Sequence, residues 1–395
     1  MNYPSIKSIL FLLCMCLLMS SCSKISSEEK PAADIDDREI RAVWVARFHY
    51  STPEDVKKII QNCADYEFTD IYFQVRGNGT VYYKSQIEPW DGSLSGGNEN
   101  IGKDPGWNPL ELAVNEAHKN GMKLHAYMNV FPGWRGSGPP PQGSKQLWHT
   151  HPEWFMRTKE GEKMTPYYMR NGKKVVWYSF INPANPEVKD YLTKVFVEVA
   201  QNYDIDGIHY DYVRYPHDLK GWDYSYDPVS LERFKEKTGK TPDQAPEQWK
   251  SFRTGCVSEC VRQFYSAIKA AKPDILISAA VMASPLAKHT KHQATIDWIH
   301  EGILDQAVLM NYTGDNEKYR ENIRVFVESC TGEKIVSGMG QWKFKPDDAG
   351  LQNFKQQLEI TKEESAAGVA FFSYSSMFPK HQPSVFAKAL TPFSR

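Results

Sequence analysis

The sequence lacks the features that mark several large functional classes. Lys and Arg number 47 against 48 Asp and Glu, for a net charge of -1. There is thus no basic field to draw in nucleic acid and no acidic tail. No glycine-rich phosphate loop follows the first strand-like segment, which disfavours a doubly wound nucleotide-binding sheet, and no cofactor is expected. Cysteine is sparse, with seven residues, no CxxC pair and no zinc-type spacing. His149 with His151, and His289 with His292, sit in loop-like stretches without companion carboxylates at strand ends, so no metal site is expected. The one long apolar run, residues 9–19 (ILFLLCMCLLM), is too short to span a bilayer.

That run follows Lys7 and leads into Met19-Ser20-Ser21-Cys22, the pattern of a secretory signal. Small residues before a Cys resemble a bacterial lipobox, so residues 1–21 are expected to be removed and Cys22 acylated. Ser23, rather than Asp, follows the Cys, which points to the outer membrane. Residues 22–37 are polar and contain Pro, as a flexible tether would. The membrane is therefore expected as a partner through the lipid alone. Cys14 and Cys16 leave with the signal. Cys63, Cys256, Cys260 and Cys330 are expected to be buried thiols.

What remains, 38–395, has ordinary globular proportions, with 41% hydrophobic and 24% charged residues. Eight short apolar runs rich in β-branched and aromatic residues read as strands: 41–47, 70–76, 123–129, 206–212, 275–282, 305–311, 334–339 and 368–374. Several are spaced by about 30 residues, the length of one strand–helix unit. The longer spacings place insertions after strands two, three and four. Thr52-Pro53, Asn108-Pro109 and Asn185-Pro186 each set a capping side chain before a Pro at the first helical position. Strand and helix alternating eight times predict a single (β/α)8 barrel of the α/β class, with no second domain and no internal repeat.

The site of such a barrel lies at the C-terminal ends of its strands. Those ends offer Arg47, then Gln74 and Arg76, Asn129, Asp211, Asn311 with Tyr312, Trp342 beyond strand seven, and Tyr374. Alternation along the strands groups Tyr72, Gln74 and Arg76, then His125, Tyr127 and Asn129, then His209 and Asp211, as inward-facing. His125 and His209 read either as ligand-facing groups or as satisfied core histidines, the second being favoured. Trp90, Trp107, Trp134, Trp148, Trp154, Trp177, Trp222 and Trp342 make up eight of the 11 tryptophans and follow strands on the functional face. Flat apolar rings edged by polar groups suit pyranose sugars.

Specific motifs accompany this pattern. Ile87-Glu88-Pro89-Trp90, Asp104-Pro105-Gly106-Trp107-Asn108-Pro109-Leu110 and His125-Ala126-Tyr127-Met128-Asn129 come first. Ile181-Asn182-Pro183 and Asp206-Gly207-Ile208-His209-Tyr210-Asp211-Tyr212-Val213-Arg214-Tyr215-Pro216 follow. Together they resemble the glycosyl-hydrolase-like family 10. The resemblance implies hydrolysis of a polysaccharide, with peptide-free peptidoglycan strands as an expected substrate. It maps Asp211 onto the family's fourth-strand acid. Met310-Asn311 precede Tyr312, where the family often has Pro-Gln.

Glycoside hydrolysis usually needs a second carboxyl, about 5–5.5 Å away for retention or about 6.5–9.5 Å for inversion. Glu88 is the first candidate and Asp91 the next, with Asp218, Asp223 and Asp315 weaker. A substrate 2-acetamido group is a third route. Arg214 and Tyr215 complete the expected binding set. Arg214 reads either as a neighbour that lowers the Asp211 pKa and favours a base or nucleophile role, or as a structural salt-bridge partner elsewhere. The competing expectation is a glycan-binding lipoprotein that keeps the cleft without the chemistry.

Overall fold

The computed structural model describes residues 39–216 and 223–390. The expected signal at 1–21, the lipid-bearing Cys22, the tether at 22–37, Asp218 and Trp222 lie outside the described residues. Residues from 39 onward belong to one compact unit.

Eight strands form a closed barrel: β1 (Ile40–Val45), β2 (Asp70–Arg76), β3 (Lys123–Asn129), β4 (Gly207–Asp211), β5 (Leu276–Met282), β6 (Gln306–Met310), β7 (Ile335–Gly340) and β8 (Gly368–Phe372). Each pairs in parallel with its sequence neighbour, and β8 closes on β1. The helices that cover them include α1 (Pro53–Asp65), α2 (Pro109–Lys119), α3 (Pro186–Asn202), α4 (Pro228–Thr238) and α5 (Pro246–Ala271). Farther along come α6 (Thr295–His300), α7 (Asn316–Ser329) and α8 (Asp348–Glu363).

The predicted start signals act as expected. Thr52 and Asp55 form a reciprocal capping box on α1, and Asn108 and Asn185 accept amide bonds at the starts of α2 and α3. The insertions also fall where expected. One after β3 carries two short antiparallel pairs, Pro132–Arg135 with Tyr178–Phe180 and Tyr167–Arg170 with Lys173–Val176.

Two expectations need correction. Several strands end earlier than predicted, so Arg47 and Asn311 fall beyond them and Tyr374 opens a short helix, Tyr374–Met377. Cys330 is only partly buried, whereas Cys63, Cys256 and Cys260 are buried free thiols.

The barrel interior is unusually aromatic and polar. Trp44, Tyr72 and Tyr127 share it with the small residues Ala42, Ala280 and Ala370. Large and small must alternate here, because the space is fully filled. Gly338 shows the limit: a Cβ there would come within 3.0 Å of the Trp44 ring and 2.3 Å of the Leu309 carbonyl oxygen.

The Trp44 indole donates to His209 Nε2 at 2.9 Å. An indole N–H can only donate, so the His209 proton sits on Nδ1, which donates to Ser278 Oγ at 2.8 Å. Tyr72 stacks on the same imidazole, with centroids 4.1 Å apart. Burial holds the His209 pKa well below its usual value, so it is a neutral strut of the core. His125 pairs through Nε2 with Asp70 Oδ1 at 2.8 Å, in the layer beneath. Both histidines therefore serve the barrel rather than its mouth.

Candidate active site

β3 and β4 run in register with Tyr127 opposite His209 and Asn129 opposite Asp211. Tyr127 is thus one layer below Asp211, and its hydroxyl reaches up to donate to Asp211 Oδ2 at 2.8 Å. The chain turns sharply after the strand, with Tyr212 in the left-handed region at φ 52°. That turn brings the Tyr212 amide back onto Asp211 Oδ1 at 2.6 Å. A non-glycine residue held there is uncommon, and such conformations cluster at functional sites.

Asp211 is 7% exposed. Burial pushes its carboxyl pKa up, Arg214 and the Tyr127 hydroxyl pull it down, and the upward push prevails. Arg214 lowers the pKa, as one of its two readings expected, but does not dominate, so the bias toward a base or nucleophile does not follow. A buried carboxyl with a raised pKa suits a general acid. Tyr127 keeps its own proton, since burial and Asp211 both hold it well above the ordinary tyrosine range.

Aromatic rings flank this carboxyl on two sides of the barrel. Beyond β7, Trp342 is 52% exposed and meets the Tyr312 ring at 5.0 Å, edge to face. Phe372, from the end of β8, packs on both. Tyr312 is close enough to Asp211 to feel its charge. On the β3–β4 side, Tyr212 packs on Tyr178 at 5.1 Å, with Trp177 next to both. Phe48 projects into solvent from the turn after β1, with the Arg47 guanidinium 4.4 Å above its ring. Arg47 also donates through Nη2 to the Tyr178 hydroxyl and to Asn78.

The remaining expected residues divide clearly. Gln74 and Asn129 face the mouth but bond to one another at 3.1 Å, while Asn129 also holds the Gly77 carbonyl. They brace the loops. Arg76 does not face inward: the β2–β3 register shifts between Gln74 and Arg76, setting Arg76 opposite Met128, an outward position. A single irregularity of this kind moves a side chain to the other face. There Arg76 grips Glu88 in a two-pronged ion pair, Nε to Oε2 at 2.8 Å and Nη2 to Oε1 at 2.7 Å, with both side chains fully buried. Tyr191 of α3 donates to the same carboxylate. Glu88 is thus spent on structure and is not free to partner Asp211.

Asp91 accepts from Thr80 and Ser93 and caps the turn Gly92–Ser95. Asp315 caps α7, and Asp223 is an exposed partner of Arg253. Asn311 points into α7, bonding to the Tyr319 carbonyl and to Asn322. Tyr374 turns away to Asn62 of α1 and His381, so β8 contributes Phe372 in its place. Tyr215 packs against His292 rather than the mouth. Trp90 is half-buried and lines a cavity of about 480 Å³ with Ile101, Ser144 and Lys145. Trp134 and Trp154 are buried loop supports, the second bonded to Glu187 of α3. Among the described residues, no cluster of three His, Cys, Asp or Glu side chains could hold a metal ion.

Sequence reasoning missed Phe48, Tyr178, Tyr212 and Arg135 as parts of the mouth. Tyr212 had a signal, its place directly after the strand-four acid. Tyr178 had none, because an insertion delivers it from far along the chain.

The fold is thus a (β/α)8 barrel whose mouth holds a buried carboxyl between aromatic walls. The chain belongs to the glycosyl hydrolase-like 10 family, whose model matches residues 39–337. It is 26% identical over 297 residues to the glycosyl hydrolase YngK of Bacillus subtilis, covering 68% of this chain and 53% of that protein. It is 25% identical over 260 residues to the glycosyl hydrolase DigH of Escherichia coli K12, covering 60% and 52% respectively. The chain thus spans about half the length of these curated relatives. Among solved structures, the PgaB glycoside hydrolase domain of Bordetella bronchiseptica superposes with a TM-score of 0.62 at 13% identity, covering 90% of this chain and 100% of that one. The catalytic domain of a Paenibacillus polymyxa beta-amylase gives 0.59 at 11% identity, covering 89% and 96%. These likenesses establish the shared barrel.

The Arg76–Glu88 pair yields a test of its structural role. Glu88→Gln leaves a buried guanidinium uncompensated, which should cost about 3–5 kcal/mol in chemical denaturation. Turnover per folded molecule should persist. Wild-type stability combined with lost turnover would return Glu88 to the chemistry.

Proposed function

We propose that this protein is a glycoside hydrolase that cuts within a polysaccharide, with Asp211 as general acid. The observation that carries this reading is the raised pKa of a buried Asp211 at a mouth walled by exposed and half-buried aromatic rings. Sugar rings would stack on the exposed Trp342 and on the half-buried Tyr212, which the buried Tyr178 backs, placing a glycosidic oxygen at Asp211. Transfer of the Asp211 proton to that oxygen would release the leaving sugar as an alcohol and the other sugar as an oxocarbenium-like centre. A nucleophile on the opposite face would then add to the anomeric carbon. Water, giving its proton to the Asp211 carboxylate, would displace that nucleophile to leave the free sugar and the protonated Asp211.

Glu88, Asp91, Asp223 and Asp315 are committed to other partners, which favours the 2-acetamido group of the substrate as that nucleophile. Peptide-free peptidoglycan strands, built from 2-acetamido sugars, are the proposed substrate. The same engaged carboxylates favour the glycan-binding alternative as the second reading.

Asp211→Asn separates the two. Asn keeps an oxygen for one donor, and the Tyr127 hydroxyl can rotate to accept from its amide. A carboxyl whose folded pKa is raised stabilises below that pKa and costs stability as pH rises through it. The variant should therefore be as stable as wild type or more so at neutral pH. It should retain glycan binding and release no fragments detectable by mass spectrometry from peptide-free strands or a polysaccharide panel. Fragment release at the wild-type rate would rule out Asp211 as the acid. Binding without fragments from the wild type as well would establish the second reading.

The N-terminal pattern supports a second proposal, that Cys22 carries lipid and holds the enzyme at the bacterial outer membrane. Cys22→Ala should move the protein from the membrane fraction to the soluble fraction. Unchanged membrane fractionation would contradict the anchor.

A further inference from the structure

We propose that Arg214 recognises a carboxylate carried by the glycan, so that the preferred substrate is an acidic polysaccharide. This rests on the glycan-cleaving reading above.

The two most deeply buried arginines near the site are treated differently. Arg76 is fully buried and has Glu88 as a complete partner. Arg214 is only 3% exposed, yet among the described residues its Nε and Nη1 have no hydrogen-bond partner. Its guanidinium lies 4.6 Å over the Tyr212 ring, and Asp211 is near enough to feel its charge. A buried cation with unmade donors is expensive to maintain, and a native structure that keeps one generally has a use for it.

The surroundings identify what would complete it. Tyr212 leans on Tyr178, which also takes the Arg47 donor and lies 5.8 Å beneath the Arg135 guanidinium. Arg135 lies 5.4 Å from the exposed Phe48 ring as well. The β3–β4 side of the mouth is thus a tyrosine wall studded with three guanidiniums. Of the acids nearby, Asp91 is bound to Thr80 and Ser93, and Asp211 is held by Tyr127 and its own turn. Among the described residues the excess is positive and hydrogen-bond-donating. A guanidinium fork matches a carboxylate in both shape and charge. A neutral hydroxyl would leave the Arg214 charge unanswered.

Glycans carry carboxylates in two ways, on the ring as a uronate or on an ether-linked acid such as the lactyl group of peptide-free peptidoglycan. The test uses both, with peptide-free peptidoglycan strands and hyaluronan as probes. Each is compared with a counterpart whose carboxyls are reduced to alcohols, and a neutral polysaccharide panel is run in parallel. Cleavage is followed as kcat/KM, and binding by calorimetry on Asp211→Asn.

The wild type should favour at least one acidic polymer over its reduced form by roughly tenfold or more, as a charge-assisted hydrogen bond would give. Whichever polymer shows the ratio identifies the source of the carboxylate. Arg214→Gln should lose more on the acidic polymer than on the reduced one, collapsing the ratio toward one. Arg214→Lys, which keeps the charge without the fork, should restore part of it.

Equal handling of acidic and reduced polymers by the wild type would overturn the proposal, whether or not either variant folds. So would equal losses on both polymers in the variants. Failure to cut any polymer, neutral panel included, would instead defeat the glycan-cleaving reading. In that case the binding ratio still decides the role of Arg214.

Discussion

The mouth depends on one carboxyl being kept out of water without being tied into an ion pair. Asp211 achieves this through two neutral donors, the Tyr127 hydroxyl and the Tyr212 amide. Neutral donors fix its geometry while leaving burial free to raise its pKa. Direct pairing with a guanidinium would have done the opposite. The contrast is visible within the same barrel, where Glu88 is clamped by Arg76 and spent on structure. Two buried acids of one barrel, Asp211 at the end of β4 and Glu88 in the loop after β2, thus have opposite fates, decided by whether a guanidinium clamps them.

That arrangement makes demands on the interior below. Tyr127 can reach Asp211 only if β3 and β4 hold their register, and the Trp44–His209–Ser278 chain ties β1, β4 and β5 together at the level of Tyr127. A purely aliphatic barrel would pack as well but would lack directional bonds between these strands. The polar interior costs desolvation, offset in part by the hydrogen bonds of His209, Trp44 and Ser278 and by the His125–Asp70 pair. It is the foundation on which the position of Asp211 rests.

Much of this was legible in the sequence. Eight apolar runs, Pro-led helix starts and three long insertions identified the barrel, because each signal is local and rests on backbone chemistry. The same alternation rule placed Asp211, His209 and Tyr127 on one face. It failed at Arg76 because a shift in strand pairing is a property of two strands together and cannot be read from one. It failed at Asn311 and Tyr374 because strands that end early let the chain turn outward. Tyr178 and Phe48 reach the mouth through loop geometry, which carries no period at all.

The central claim is that burial, not charge pairing, governs Asp211. The most direct measurement is the titration of its side-chain carboxyl carbon by NMR in the wild type and in Arg214→Gln. Burial-dominated behaviour predicts a midpoint above the ordinary aspartate value of about 3.9, moving higher still when the Arg214 charge is removed. A wild-type midpoint at or below that value would contradict the account, showing Asp211 to be a paired carboxylate and not a poised acid.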